Sequence, residues 1–231
     1  MLKLAADSGT TDIVGTPHAD LEYHFQPDLI QQRLDELNTA CNGTPRIYSG
    51  CDFHLTYDNI QDALANPAKY TINHRNYLLV EFSDMLIFQN TGDIFAHLRQ
   101  QGIIPIITHP ERNPLLQKRL DSLVRWVEEG ALMQVTAQSY FGRFGKTARD
   151  FSLELMRLNL VHFVASDAHD TKHRPPMLDK TFEWVAEKYG EATARRLMID
   201  NPKAAIDGTP LPPAPRLPET PPPKWFEFWR S

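Results

Sequence analysis

Cysteine is scarce in this chain: Cys41 and Cys51 are the only two among 231 residues. They lack Cys-x-x-Cys spacing and give no disulfide framework, so a reducing cytoplasm is the natural setting. A basic excess is absent too. Lys and Arg number 24 against 29 Asp and Glu, a net charge of -5. That balance argues against a nucleic-acid partner, whose phosphates need a basic face, and leaves room only for a local basic pocket. No apolar run approaches the roughly 20 residues that span a bilayer. The start, Met1–Asp7, is too short and turns acidic too soon for a signal peptide. No internal repeat is evident. What is present is 42% hydrophobic and 23% charged residues, enough for one sizeable globular core.

The most informative stretch runs from Leu160 to His169. An apolar, β-branched run breaks into Ser166-Asp167-Ala168-His169. It predicts a buried strand whose C-terminal end carries a carboxylate and an imidazole two residues apart, where parallel α/β folds house chemistry. The same grammar recurs along the chain. Thr11–His18 predicts a strand ending in Pro-His, and Arg46–Phe53 one ending in an acid at Asp52. Tyr77–Phe82 closes at Glu81, Ile103–Arg112 closes in His109-Pro110-Glu111-Arg112, and 131–138 forms a fifth strand. Helical spacing separates them over 27–41, 59–65, 92–101, 115–129 and 147–159. Two closing helices follow at 178–189 and 191–200, the second ended by Asn201-Pro202. Residues 1–9 look like the last turns of a helix stopped by Gly9. The alternation predicts parallel βα units in a barrel-like α/β fold, with a doubly wound open sheet as the alternative.

From Asp207 the composition changes. Eight prolines lie between Gly208 and Pro223, and four aromatics crowd Trp225–Trp229. Residues 1–206 are thus expected to form the domain and 207–231 an extended Pro-rich tail. Its aromatic end reads as a mobile terminus or as a docking knob.

Six side chains stand at the expected strand ends: His18, Asp52, Glu81, His109, Asp167 and His169. Each alone has a bland explanation, such as a turn histidine, a helix cap at Asp52 or an ion pair at Glu81. Their recurrence on five of six strands carries the metal reading, and mixed nitrogen and oxygen donors suit Mn, Fe, Zn or Mg in a multi-metal cluster. Arg112 follows His109 by three residues and Arg174 follows His169 by five. Guanidinium forks bind phosphate bidentately, which points to a phosphorylated substrate. Salt bridges to the same carboxylates are the alternative.

Together, Thr16-Pro17-His18, Gly50-Cys51-Asp52, Val80-Glu81-Phe82, Thr108-His109-Pro110-Glu111-Arg112 and Ser166-Asp167-Ala168-His169 with Arg174-Pro175-Pro176 resemble a known family. It is that of the bacterial PHP-type (polymerase and histidinol phosphatase superfamily) protein-tyrosine phosphatases of capsular and exopolysaccharide biosynthesis systems. The resemblance covers roughly residues 1–206. It implies a distorted (β/α)7 TIM-like barrel and a trinuclear, often Mn-activated metal centre. The six strand-end residues would be ligands, and Arg112 and Arg174 would hold phosphate. The implied substrate is phosphotyrosine on a membrane-associated tyrosine autokinase. Metal-activated water would attack phosphorus in line, with no covalent intermediate. The cysteine route needs Arg six positions after Cys, where Ile47 and Tyr57 stand.

Two departures accompany the resemblance. The family usually has Glu where Asp52 stands, so a carboxylate one methylene shorter must shift or act through water. The family also opens on a strand with Asp-x-His-x-His, which this sequence does not contain. Met1 falls inside what would be the first helix, and on ordinary element lengths about two dozen residues are wanting. A start codon placed too late explains this better than a truncated product. The alternatives in function are a small-molecule phosphomonoesterase such as histidinol phosphatase, and an inactive remnant that serves as a binding module.

Overall fold

The computed structural model describes residues 1–214. Most of the expected Pro-rich tail, and all of its aromatic end, lies outside the described residues. Strands β1 (Asp12–Gly15), β2 (His18–Ala19), β3 (Arg46–Ser49), β4 (Asp52–His54), β5 (Tyr77–Glu81), β6 (Ile104–Thr108), β7 (Leu132–Thr136) and β8 (Phe163–Ala165) are joined through helices α1 (Leu2–Asp7), α2 (Pro27–Ala40), α3 (Tyr57–Ala65), α4 (Thr91–Gln100), α5 (Leu120–Glu128) and α6 (Gly145–Arg157). Helices α7 (Asp179–Tyr189), α8 (Glu191–Arg195) and α9 (Asn201–Asp207) close the described chain. The main sheet is wholly parallel in the order β2-β4-β5-β6-β7-β8, and β1 pairs with β3 apart from it. Strand order follows chain order without reversal, so the doubly wound alternative, which needs a switch point, does not apply. Among the described residues no pairing joins β8 back to β2.

Alternation divides the sheet into two faces. Leu78, Val80, Ile107, Met133, Val135 and Val164 belong to the large core under the helices. Tyr77, Leu79, Ile106 and Phe163 face the other way and pack with Ile72, Ala205 and Ile206. Glu81 shares the face of Tyr77 and Leu79, so this second cluster is a floor beneath the strand ends.

Several boundaries depart from expectation. The strands expected over 11–18 and 46–53 each break in two. At the break, a Cβ on Gly50 would meet Val14 Cγ1 at 2.5 Å, so only glycine lets the strands approach. Pro17 has no N–H for the ladder, and its carbonyl accepts from Asp52 N at 3.0 Å. The strand expected from Leu160 is confined to Phe163–Ala165. The helix expected over 115–129 starts as a separate 3-10 turn, Leu116–Lys118, because Asn113 Oδ1 caps Leu115 N and Leu116 N and Arg119 leaves helical geometry. Asn201-Pro202 does not end the last helix. The chain widens to a π turn at Arg196–Asp200 and runs on through α9 with Pro202 in its first turn, where a missing N–H costs little.

His162 stands just before β8, with its Nδ1 accepting from Met133 N at 3.2 Å and its carbonyl from Asn201 Nδ2 at 2.7 Å. Burial, aided by the Arg196 charge, pushes its pKa down to about 4. An unfolded histidine titrates near 6.5, so between those values the unfolded chain binds the extra proton. The contribution is intact above pH 6.5 and is lost as pH falls toward 4. His162→Gln, which keeps an acceptor, is expected to blunt the loss of stability between pH 7 and 5 by about 2 kcal/mol, read by urea unfolding at both pH values. Parallel losses in both proteins would contradict a neutral His162.

Candidate metal centre

The site follows from pairing register. His18 stands opposite Asp52, and His54 opposite Glu81. Register partners point to one face, as do strand residues two apart. Strands β2, β4 and β5 therefore deliver His18, Asp52, His54 and Glu81 to the same face of the sheet, at the carboxyl ends of its strands. One ligand atom from each lies within 4.8 Å of all the others. His54 is the member that sequence reasoning missed. Its signal was the Asp52-Phe53-His54 alternation, which puts the imidazole on the side of the acid.

Glu81 is the hub. Its Oε2 is 2.9 Å from His54 Nε2 and 3.5 Å from His18 Nδ1, and its Oε1 is 3.5 Å from His109 Nε2. His18 Nδ1 is also 3.1 Å from Asp52 Oδ2. Asp52 Oδ1, His54 Nε2 and Glu81 Oε2 are buried, and none makes an aligned hydrogen bond. Buried polar atoms are nearly always paired, yet Asp52 Oδ1 has no partner and His54 Nε2 and Glu81 Oε2 meet at 2.9 Å without hydrogen-bond alignment, which fits a cation held among these side chains. The oxygen and imidazole set suits a divalent ion.

The electrostatics agree. Burial first, then the hydrogen bond and charge of Glu81, pushes Asp52 up to about 9. Burial also acts to raise Glu81, but its contacts with His54 and Asp52 and the charges of His109 and His54 hold it below the usual carboxylate range. Contact with Glu81 raises His54. Burial, then the Arg112 charge, lowers His109, which keeps a lone pair free for coordination. Two adjacent carboxylates cannot both ionise cheaply without a cation between them.

The other side of the mouth is built by β6 and β8. Both turn sharply at their ends: His109 has φ 33° and Asp167 φ 47°. Such backbone costs about 1–3 kcal/mol per residue and collects at functional sites. Asp167 Oδ2 accepts from both Arg112 Nη1 and Arg174 Nη2, so the salt-bridge alternative describes these arginines here. His169 Nδ1 lies 3.0 Å from the Asp167 carbonyl and 3.8 Å from Asp167 Oδ1, and its side chain is 46% exposed at the rim. Of the six strand-end residues, His18, Asp52 and Glu81 converge and His109 adjoins them through Glu81. Asp167 belongs to the arginine cluster, though its charge reaches Asp52 and His109. A cavity of about 90 Å³ opens between Glu81, His109 and Arg112. Beneath it Glu111 is fully buried and pushed up to about 7 by burial. Its Oε1 accepts from Thr136 N at 3.0 Å and Ser139 Oγ at 2.6 Å, which ties the His109–Arg112 turn to the end of β7.

A singly wound parallel sheet that gathers imidazoles and carboxylates at its carboxyl edge defines an α/β protein equipped for divalent metal. The comparisons narrow this class. The model of a family described as "Capsular polysaccharide synthesis, CpsB/CapC" matches residues 1–207, and the chain belongs to that family. It is 38% identical over 188 residues to CapC of Staphylococcus aureus, across 79% of this chain and 72% of CapC. It is 34% identical over 178 residues to the tyrosine-protein phosphatase YwqE of Bacillus subtilis (strain 168), across 75% of this chain and 70% of YwqE. The crystal structures of YwqE from Bacillus subtilis and CpsB from Streptococcus pneumoniae, unique metal-dependent tyrosine phosphatases, include a chain that matches with a TM-score of 0.84 and 29% identity, covering 91% of this chain and 86% of that one. Among the described residues, no helix is long and apolar enough to cross a membrane.

Proposed function

We propose that this chain carries out metal-dependent hydrolysis of phosphotyrosine on a protein, in the control of capsular or exopolysaccharide synthesis. The observation that carries the reading is the convergence of ligand atoms from His18, Asp52, His54 and Glu81 within 4.8 Å of one another in a chain of the CpsB/CapC family. His18, Asp52, His54 and Glu81 would hold one divalent ion. His109, Asp167 and His169 extend the donor set toward as many as three, with manganese the first candidate. A bound ion supplies Lewis acidity that activates water and offsets charge at phosphorus. The chain's own groups do the rest. Arg112 and Arg174 exchange Asp167 for phosphoryl oxygens, as charge-assisted donors aimed at developing negative charge. Tyrosine, with a pKa near 10, leaves as phenolate with little need of a strong general acid. The catalytic domain is residues 1–206, and the unreversed strand order supports its reading as a distorted (β/α)7 barrel. The partner is a tyrosine autokinase, and the setting is the cytoplasm.

The test is turnover of a phosphotyrosine peptide beside histidinol phosphate, before and after chelation. Peptide hydrolysis is expected to vanish on metal removal, to return with Mn²⁺, and to exceed histidinol phosphate hydrolysis in kcat/KM by at least about tenfold. Hydrolysis that survives chelation, or a preference for histidinol phosphate, would overturn the proposal.

A further inference from the structure

One aromatic ring serves both arginines. Arg112 Cζ lies 4.4 Å and Arg174 Cζ 5.7 Å from the centroid of Phe144. Phe144 belongs to none of the motifs in the sequence. It sits in the short segment Gly142-Arg143-Phe144-Gly145, between the turn after β7 and α6. The backbone there is pinned by Gly142 N to the Ser139 carbonyl at 3.0 Å, Arg143 N to the Gln138 carbonyl at 3.2 Å, and Gly145 N to the Gly142 carbonyl at 3.0 Å. Gly142 and Gly145 have φ of 78° and 90°, a conformation glycine adopts freely. The ring is therefore presented by a fixed turn. Both guanidiniums converge on a single oxygen, Asp167 Oδ2, and Arg174 Nε is buried with no partner. The pair holds more donors than Asp167 uses.

We infer that Phe144 is a positioning residue for phosphate capture: its π face braces both guanidiniums side by side, so that they keep one geometry when a phosphoryl group replaces Asp167 as their acceptor. A guanidinium over a ring face is held by the ring quadrupole, and a fork already ordered loses less freedom on binding. This deepens the phosphatase reading and rests on it.

Inhibition by inorganic phosphate and the KM for a phosphotyrosine peptide are measured with the metal-loaded protein and with Phe144→Ala, Phe144→Leu, Phe144→Tyr and Phe144→Trp. The alanine and leucine variants are expected to weaken phosphate inhibition and raise KM in step, by about five- to tenfold. Their kcat should stay within about twofold and their metal content should match wild type, because the ring's cation contacts are with the two guanidiniums. The tyrosine and tryptophan variants, which keep a π face, should stand near wild type. Unchanged phosphate inhibition in Phe144→Ala, or a leucine variant equal to wild type, would overturn the inference, the latter because bulk alone would then suffice. A wild-type protein that neither hydrolyses phosphotyrosine nor is inhibited by phosphate would instead defeat the phosphatase reading itself, and this inference with it.

Discussion

Replacing Glu81 with Gln is expected to lower phosphotyrosine hydrolysis by at least about a thousandfold. The carboxylate stands within 3.5 Å of three imidazoles, His18, His54 and His109, and no other side chain in the cluster reaches so many. An amide of the same shape keeps the volume but removes the charge that makes the four-residue cluster attractive to a divalent ion. The consequence for folding is smaller and mixed. Without metal, Glu81 adds to the burial that drives Asp52 up to about 9, while His54, Asp52 and His109 hold Glu81 itself below the usual carboxylate range. The amide relieves Asp52 but gives up those favourable contacts, so the metal-free variant is compared with metal-free wild type as the baseline for each melt.

Metal linkage gives the measurement. An ion present at about 100 times its Kd stabilises the folded state by about 2.7 kcal/mol, and a variant that binds about 100-fold more weakly gains only about 0.4 kcal/mol from the same solution. Thermal melts with and without Mn²⁺ should therefore show a large upward shift for wild type and almost none for Glu81→Gln. A full shift in the variant, together with retained turnover, would remove Glu81 from the centre of the site.

How far the sequence reaches can be judged residue by residue. The strands were legible because apolar runs such as Leu78–Val80 and Ile104–Ile107 are bounded by polar or turn residues, and the large core lies where alternation puts it. The break between β3 and β4 was not legible. It depends on Val14 packing against Gly50, a contact between residues far apart in the chain. His54 was lost for a related reason: a strand ended at Phe53 hides the next inward-facing position. The termination expected at Asn201-Pro202 followed a sound local rule, which the π turn before it defeats. Spacing also could not decide what the arginines hold. That depends on how far the left-handed turn at Asp167 swings its carboxylate toward them, and backbone angles at a strand end are not written in residue order.

The arginines supply the second large effect. Arg112→Ala is expected to reduce kcat/KM on a phosphotyrosine peptide by about 10²–10³-fold, the cost of losing one donor aimed at transition-state charge. Arg174→Ala should fall in the same range. Two roles are open to each guanidinium, holding Asp167 and binding phosphate, and they predict different residuals. A group that merely anchors Asp167 would, when removed, loosen metal and leave phosphate inhibition unchanged. A group that binds phosphate would weaken that inhibition at constant metal content, and this is the outcome expected. Lysine in place of Arg112 should recover little, since a point charge cannot reproduce two parallel N–H donors. The double variant should lose less than the product of the single losses, because both side chains share Asp167 Oδ2 and the Phe144 ring, and groups with common partners do not add. Losses that multiply would mean that the two arginines act on separate events, and a single phosphate clamp could not then be their common role.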